Sequence, residues 1–183
     1  MKIRYFVDTE TTGLDPRIHW AYEAAWMSEY NSDPDETSLP HTLEYASEEA
    51  LAVGQYRERG FSPDHPGNLT NRGIARLRRD LRGNVLIGWN VDFDASFLTK
   101  AIGYAPWDYH TVNAAQAPMW LFGWDRPRSL TPTVEFLRER GHQNIPDQTH
   151  TARGDVLTLA AVWFALIEER NLLRHPAILG VVT

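Results

Sequence analysis

The chain has 183 residues, enough to bury a core as a single domain. Its 43% hydrophobic and 23% charged residues are a globular balance, and with no cysteine it excludes disulfides, thiolate metal sites and cysteine nucleophiles, so a metal must be held by oxygen or imidazole. A net charge of −6 argues against gripping nucleic acid by bulk positive charge, but allows an enzyme whose clustered acids are offset by divalent metal.

The start, Met1-Lys2-Ile3-Arg4, fits no signal peptide. Residues 2–7 read as a buried strand, followed by the turn Thr12-Gly13-Leu14-Asp15-Pro16. The aromatic-rich stretch 19–30 predicts a second strand, and the polar stretch 31–40 with two prolines a hairpin loop. Residues 42–45 suggest a short third strand, and Ser47-Glu48-Glu49 starts a helix through about Arg59. A Pro/Gly-rich loop over 60–68 precedes a helix over 69–81, a buried strand over 84–89 and a helix over 93–102. A last strand is expected at 107–112, with helices at 131–140 and 152–171. The longest apolar run, 156–167, is short of the roughly 20 residues of a membrane span, so the expected location is cytoplasmic. Early strands, late helices and one β-to-α step predict an α/β fold, a mixed sheet flanked by helices.

Four carboxylates and a histidine arrive from three separated segments. Asp8 and Glu10 are two apart on a strand, so both side chains leave one face. Like charges so placed repel unless a cation lies between them, and hard oxygen donors suit Mg²⁺ or Mn²⁺; alternatively the pair is solvated. Asp94 near the head of its helix is either a cap or a site acid, and Asp92 competes with it. His150 and Asp155, five apart, do not share a helix face, so His150 belongs on the loop and Asp155 inside the helix. That helix is apolar almost all round, so its acid needs a partner, either the helix dipole or a metal. A loop histidine suits general-base work near neutral pH. Arg72, Arg76, Arg78, Arg79 and Arg82 form one basic cluster, which either tracks a phosphate backbone or is a solvated helix face.

Three segments together resemble the DEDDh (DnaQ-like) 3′→5′ exonucleases. Asp8-Thr9-Glu10-Thr11-Thr12-Gly13-Leu14 is similar to the first motif of that family, Asn90 with Phe93-Asp94 to the second, and His150-x-Ala152-x-x-Asp155 to the third. The register of the second motif favours Asp94 over Asp92. The likeness runs over nearly the whole chain, including Glu23 and the stretch 129–137. One departure is Trp89 before Asn90, where the family usually has histidine.

The resemblance implies a ribonuclease H-like fold with a five-stranded mixed sheet. It implies that Asp8, Glu10 and Asp155 ligate two Mg²⁺ or Mn²⁺ ions, with Asp94 helping, and that His150 deprotonates the attacking water. Two ions roughly 4 Å apart would stabilise the attacking and leaving oxygens. The implied partner is a single-stranded 3′ end of RNA or DNA, and the product a nucleoside 5′-monophosphate. Thr11, Thr12 and Gly13 would offer backbone N–H groups to the terminal nucleotide. Leu14 would wedge against its base, and Phe93 would support stacking, with core packing the stronger reading for Phe97. Trp89 and Asn90 are further candidates for substrate contact. Homodimers occur in the family, though no surface in the sequence identifies one. Other readings are a non-catalytic nucleic-acid-binding module on the same fold and an RNase H-like endonuclease.

Overall fold

A computed structural model describes residues 2–64 and 72–174. Its centre is a five-stranded mixed sheet: β1 (Arg4–Thr11), β2 (Ala21–Ser28), β3 (Asp35–Ser38), β4 (Val85–Gly88) and β5 (Val112–Asn113), in the order β3-β2-β1-β4-β5. The β3-β2-β1 half is antiparallel, and β4 and β5 add in parallel beside β1. The helices are α1 (Glu48–Val53), α2 (Arg72–Leu81), α3 (Val91–Ile102), α4 (Ala117–Phe122), α5 (Leu130–Glu139) and α6 (Ala152–Arg174).

The period of two along β1 divides the core. Val7 joins the layer formed with Leu77 and Leu81 of α2 and Phe97 and Leu98 of α3. Phe6 points the other way, onto Val156, Leu159 and Ala160 of α6. Neighbouring strands split likewise, with Leu86 on the α3 side and Ile87 on the α6 side. By the same alternation Asp8 and Glu10 leave the α6 face, and Thr9 leaves the α3 face. A third cluster packs Leu130, Val134 and Leu137 of α5 on the outer side of α6. α6 is therefore covered on two sides, which explains its nearly all-round apolar sequence.

Three expectations are corrected. The third strand is Asp35–Ser38, inside the stretch read as a hairpin loop, and residues 42–45 form no strand. Asp-Glu-Thr-Ser is poor strand material by propensity, but it lies on the sheet edge, where charge blunts further pairing. The helix opened by Ser47 ends at Val53 instead of running to Arg59. A Cβ on Gly54 would stand 1.9 Å from the Tyr22 hydroxyl and 2.7 Å from Glu10 Oε2, so the chain turns there against β1 and β2. The last strand has only two residues, Val112–Asn113, and α4 follows it where no helix was read. The expected helix start at 69–71 and the loop end at 65–68 lie outside the described residues.

Candidate active site

β1 and α6 build the site. Oxygens of Asp8, Glu10 and Asp155 lie within 4.8 Å of one another, Asp155 buried and the two β1 acids half-buried. They line one wall of a cleft of about 340 Å³. Leu14, Val53 and Phe93 supply its apolar wall, and His150 stands at its rim.

Asp155 is held from outside its helix. Its Oδ1 accepts from the backbone N–H of Thr149 (2.9 Å) and of His150 (3.2 Å), and its Oδ2 from Gln148 Nε2 (2.9 Å). Thr151 Oγ1 accepts from Gly154 N–H at 3.1 Å, an N-cap for α6. Gly154 has a steric reason to be glycine, because a Cβ there would stand 1.9 Å from Thr149 Oγ1. The loop is thereby pulled down over the helix start. His150 takes φ 54°, sparsely populated for a side-chain-bearing residue. Its backbone is tied to Asp155 while its exposed ring makes no hydrogen bond with the described residues.

Asp94 arrives from the other face of the sheet. It is buried, accepts a 2.8 Å bond from Thr9 Oγ1, and stands outside the three-oxygen cluster. Asp92 is exposed, so only Asp94 is turned inward. Crowding shows in the electrostatics. Burial, with Asp155 and Glu23 nearby, pushes the Glu10 carboxyl up to about 8, against the pull of Arg59. Burial raises Asp94 to about 7 although the Thr9 bonds oppose it. Asp8 is raised well above the usual range by burial and then by Asp94, Glu10 and Asp155. Three converging oxygens whose charges disfavour one another are a donor set for a hard divalent cation.

The proposed substrate contacts divide. Thr11, Leu14 and Phe93 line the cleft. Thr12 does not offer its N–H, which donates to Trp20 C=O at 2.8 Å, while its C=O accepts from Ser47. Gly13 lends its carbonyl to Thr11 Oγ1, and Asn90 caps α3 without a side-chain bond. Trp89 packs between two core clusters and donates Nε1–H to the Arg128 carbonyl at 3.0 Å, so its polar edge is already used. Phe97 is core, 1% exposed. In the basic cluster, Arg76 and Arg79 pair with Asp35 and Asp80, and Arg78 donates to Ile102 C=O.

Sequence reading missed two residues and the role of a third. Gln148 fixes Asp155 and lines the cleft. Arg59 forms a close ion pair with buried Glu23, directly opposite Glu10 in the sheet. Glu23, noted only as part of the resemblance, also accepts from Ala152 N–H at 3.2 Å, so it ties β2 to the start of α6. Gln148 lies two residues before His150 and could have been suspected; Arg59 gives no local signal.

Solved structures similar in shape include E. coli Exonuclease I and S. pombe Pop2p. E. coli Exonuclease I with a dA16 oligonucleotide matches with a TM-score of 0.61 at 18% identity, over 97% of this chain and 42% of that one. A second Exonuclease I structure matches with a TM-score of 0.61 at 19% identity, over 96% of this chain and 44% of that one. S. pombe Pop2p in its Mg²⁺- and Mn²⁺-bound form matches with a TM-score of 0.65 at 12% identity, over 91% of this chain and 83% of that one. The fold is ribonuclease H-like. The chain spans less than half the length of Exonuclease I. No family model matches it, and no curated protein matches it by sequence. Among the described residues, no helix is long and apolar enough to cross a membrane.

Proposed function

We infer that the chain is a metal-dependent 3′→5′ exonuclease of the DEDDh type, hydrolysing single-stranded 3′ ends to nucleoside 5′-monophosphates. The observation that carries this reading is the convergence of Asp8, Glu10 and Asp155 oxygens beside an exposed, backbone-anchored His150. The shared fold with exonucleases supports it.

Asp8, Glu10 and Asp155 would hold the divalent ions, Mg²⁺ or Mn²⁺, with Asp94 adding charge from behind the strand. When bound, two such ions supply positive charge to the attacking and leaving oxygens of an in-line displacement. The chain's own groups do the rest. A ring nitrogen of His150 takes the proton of the attacking water. Leu14 and Phe93 hold the terminal base against the apolar wall. Gln148 and the Thr149 N–H keep the Asp155 carboxylate aimed at the cleft.

The test is a time course on matched 3′-labelled and 5′-labelled single strands of DNA and RNA, with Mg²⁺, Mn²⁺ or EDTA. The expected result is a metal-dependent ladder shortening from the 3′ end, with mononucleotides released. Internal cuts, or no cleavage of either strand with either ion, would overturn the reading. The faster strand names the substrate, since RNA preference requires a contact to the 2′-OH.

A further inference from the structure

An acidic cleft in a chain of net charge −6 needs cations at its rim if a phosphate backbone is to approach. Most arginines near the site are committed. Arg59 pairs with Glu23, Arg138 with Asp147 and Arg153 with Asp33. Arg126 and Arg128 are different. Both are exposed, and neither has a carboxylate partner among the described residues. They flank Pro127, whose ring fixes the backbone between them. The Arg128 guanidinium lies 4.1 Å over the Trp124 ring, which packs in turn on Phe136 at 5.1 Å.

Two tethers place this stretch. On one side Trp89 donates Nε1–H to the Arg128 carbonyl at 3.0 Å. Trp89 lies between β4 and Asn90, at the head of the helix that carries Phe93 and Asp94. On the other side Thr131, three residues beyond Arg128, donates to Gln148 Oε1 at 2.9 Å, and Gln148 Nε2 donates to Asp155 at 2.9 Å. Two relayed contacts therefore connect the arginine stretch to the acid cluster. It sits between the head of α3 and the loop that bears His150.

We propose that Arg126 and Arg128 form a phosphate rail for the single strand on the 5′ side of the nucleotide being removed. The proposal rests on the nuclease reading and deepens it. Guanidinium groups pair with phosphate oxygens bidentately, and a Trp-stacked Arg128 is partly pre-ordered for that contact. Asp125, the lone acid of the stretch 124–128, is outnumbered by the two cations. The role also accounts for Trp89, which acts on substrate only by holding this stretch in place.

The test is equilibrium binding of a 5′-fluorescent oligothymidylate by anisotropy over a KCl series in Ca²⁺, with hydrolysis in Mg²⁺ followed in parallel. The paired Arg126→Ala, Arg128→Ala variant should bind on the order of tenfold more weakly at low salt. Its slope of log affinity against log salt should be shallower by about 1.4, roughly 0.7 per lost single-strand phosphate contact. The paired Arg126→Lys, Arg128→Lys variant should restore the slope, which a merely structural role would not do. Wild-type slope in the alanine pair, or a lysine pair that keeps the alanine pair's shallow slope, overturns the rail while wild-type cleavage leaves the nuclease reading standing. A wild-type protein that neither binds nor cleaves this strand or a matched oligouridylate removes the reading on which the rail rests.

Discussion

At His150 the backbone carries a cost that the loop chemistry offsets. A residue with a side chain at φ 54° is disfavoured, and here the N–H bond to Asp155 keeps it there. The exposed imidazole makes no hydrogen bond with the described residues. His150→Ala should leave divalent binding near wild type by calorimetry and lower kcat by roughly 10²–10⁴-fold. Cleavage at the wild-type rate would show that another group takes the proton. Asp8→Ala should abolish metal-dependent cleavage without unfolding the chain, because it relieves crowding among buried acids. Asp155→Ala is a less clean probe. It strips three hydrogen bonds from residues 148–150 and loosens the loop along with the site.

Elements differ in how much of their placement is local. β1 and α3 were legible because their periods are intrinsic. The 3.6-residue repeat that buries Phe97 and Leu98 also turns Asp94 inward and leaves Asp92 in solvent. β3 was not legible, because a polar edge strand depends on distant partners, here its pairing with β2 and the Arg76–Asp35 ion pair. Arg59 was invisible for a similar reason, since its role exists only once β2 and the 54–60 turns meet. That meeting supports a further prediction. Glu23 is 4% exposed and is opposite Glu10, so losing its cation leaves an unpaired buried carboxylate at the start of α6. Arg59→Ala should destabilise the protein by about 3 kcal/mol in urea unfolding. Adding Glu23→Gln should recover part of the loss, because the pair is coupled and the two changes are not additive. Equal destabilisation with and without Glu23→Gln would mean that Arg59 acts through packing on Phe61, over which it lies at 4.8 Å.

For the whole molecule, the crowded acids link stability to pH and metal. Glu10 is raised from 4.5 to about 8 and Asp94 from 3.8 to about 7, so between these limits the folded state holds more protons than the unfolded one. Their stabilising contribution is complete below the unfolded values and is lost as pH rises through about 7 to 8. Half-buried Asp15 and Asp108, both lowered to about 2, act in the opposite sense, but their window lies below 3.8 and does not interfere. In EDTA the melting temperature should therefore fall between about pH 5 and pH 8. A divalent cation would bind the ionised cluster, so Mg²⁺ should raise the melting temperature little at the acid end and progressively more toward the alkaline end. Differential scanning fluorimetry across that range, with and without Mg²⁺, reads both slopes. The Asp8→Asn variant removes one raised carboxyl, so it should make the EDTA curve shallower and remove most of the Mg²⁺ response. A wild-type curve in EDTA that stays flat would mean that burial does not raise the Glu10 and Asp94 carboxyls in solution.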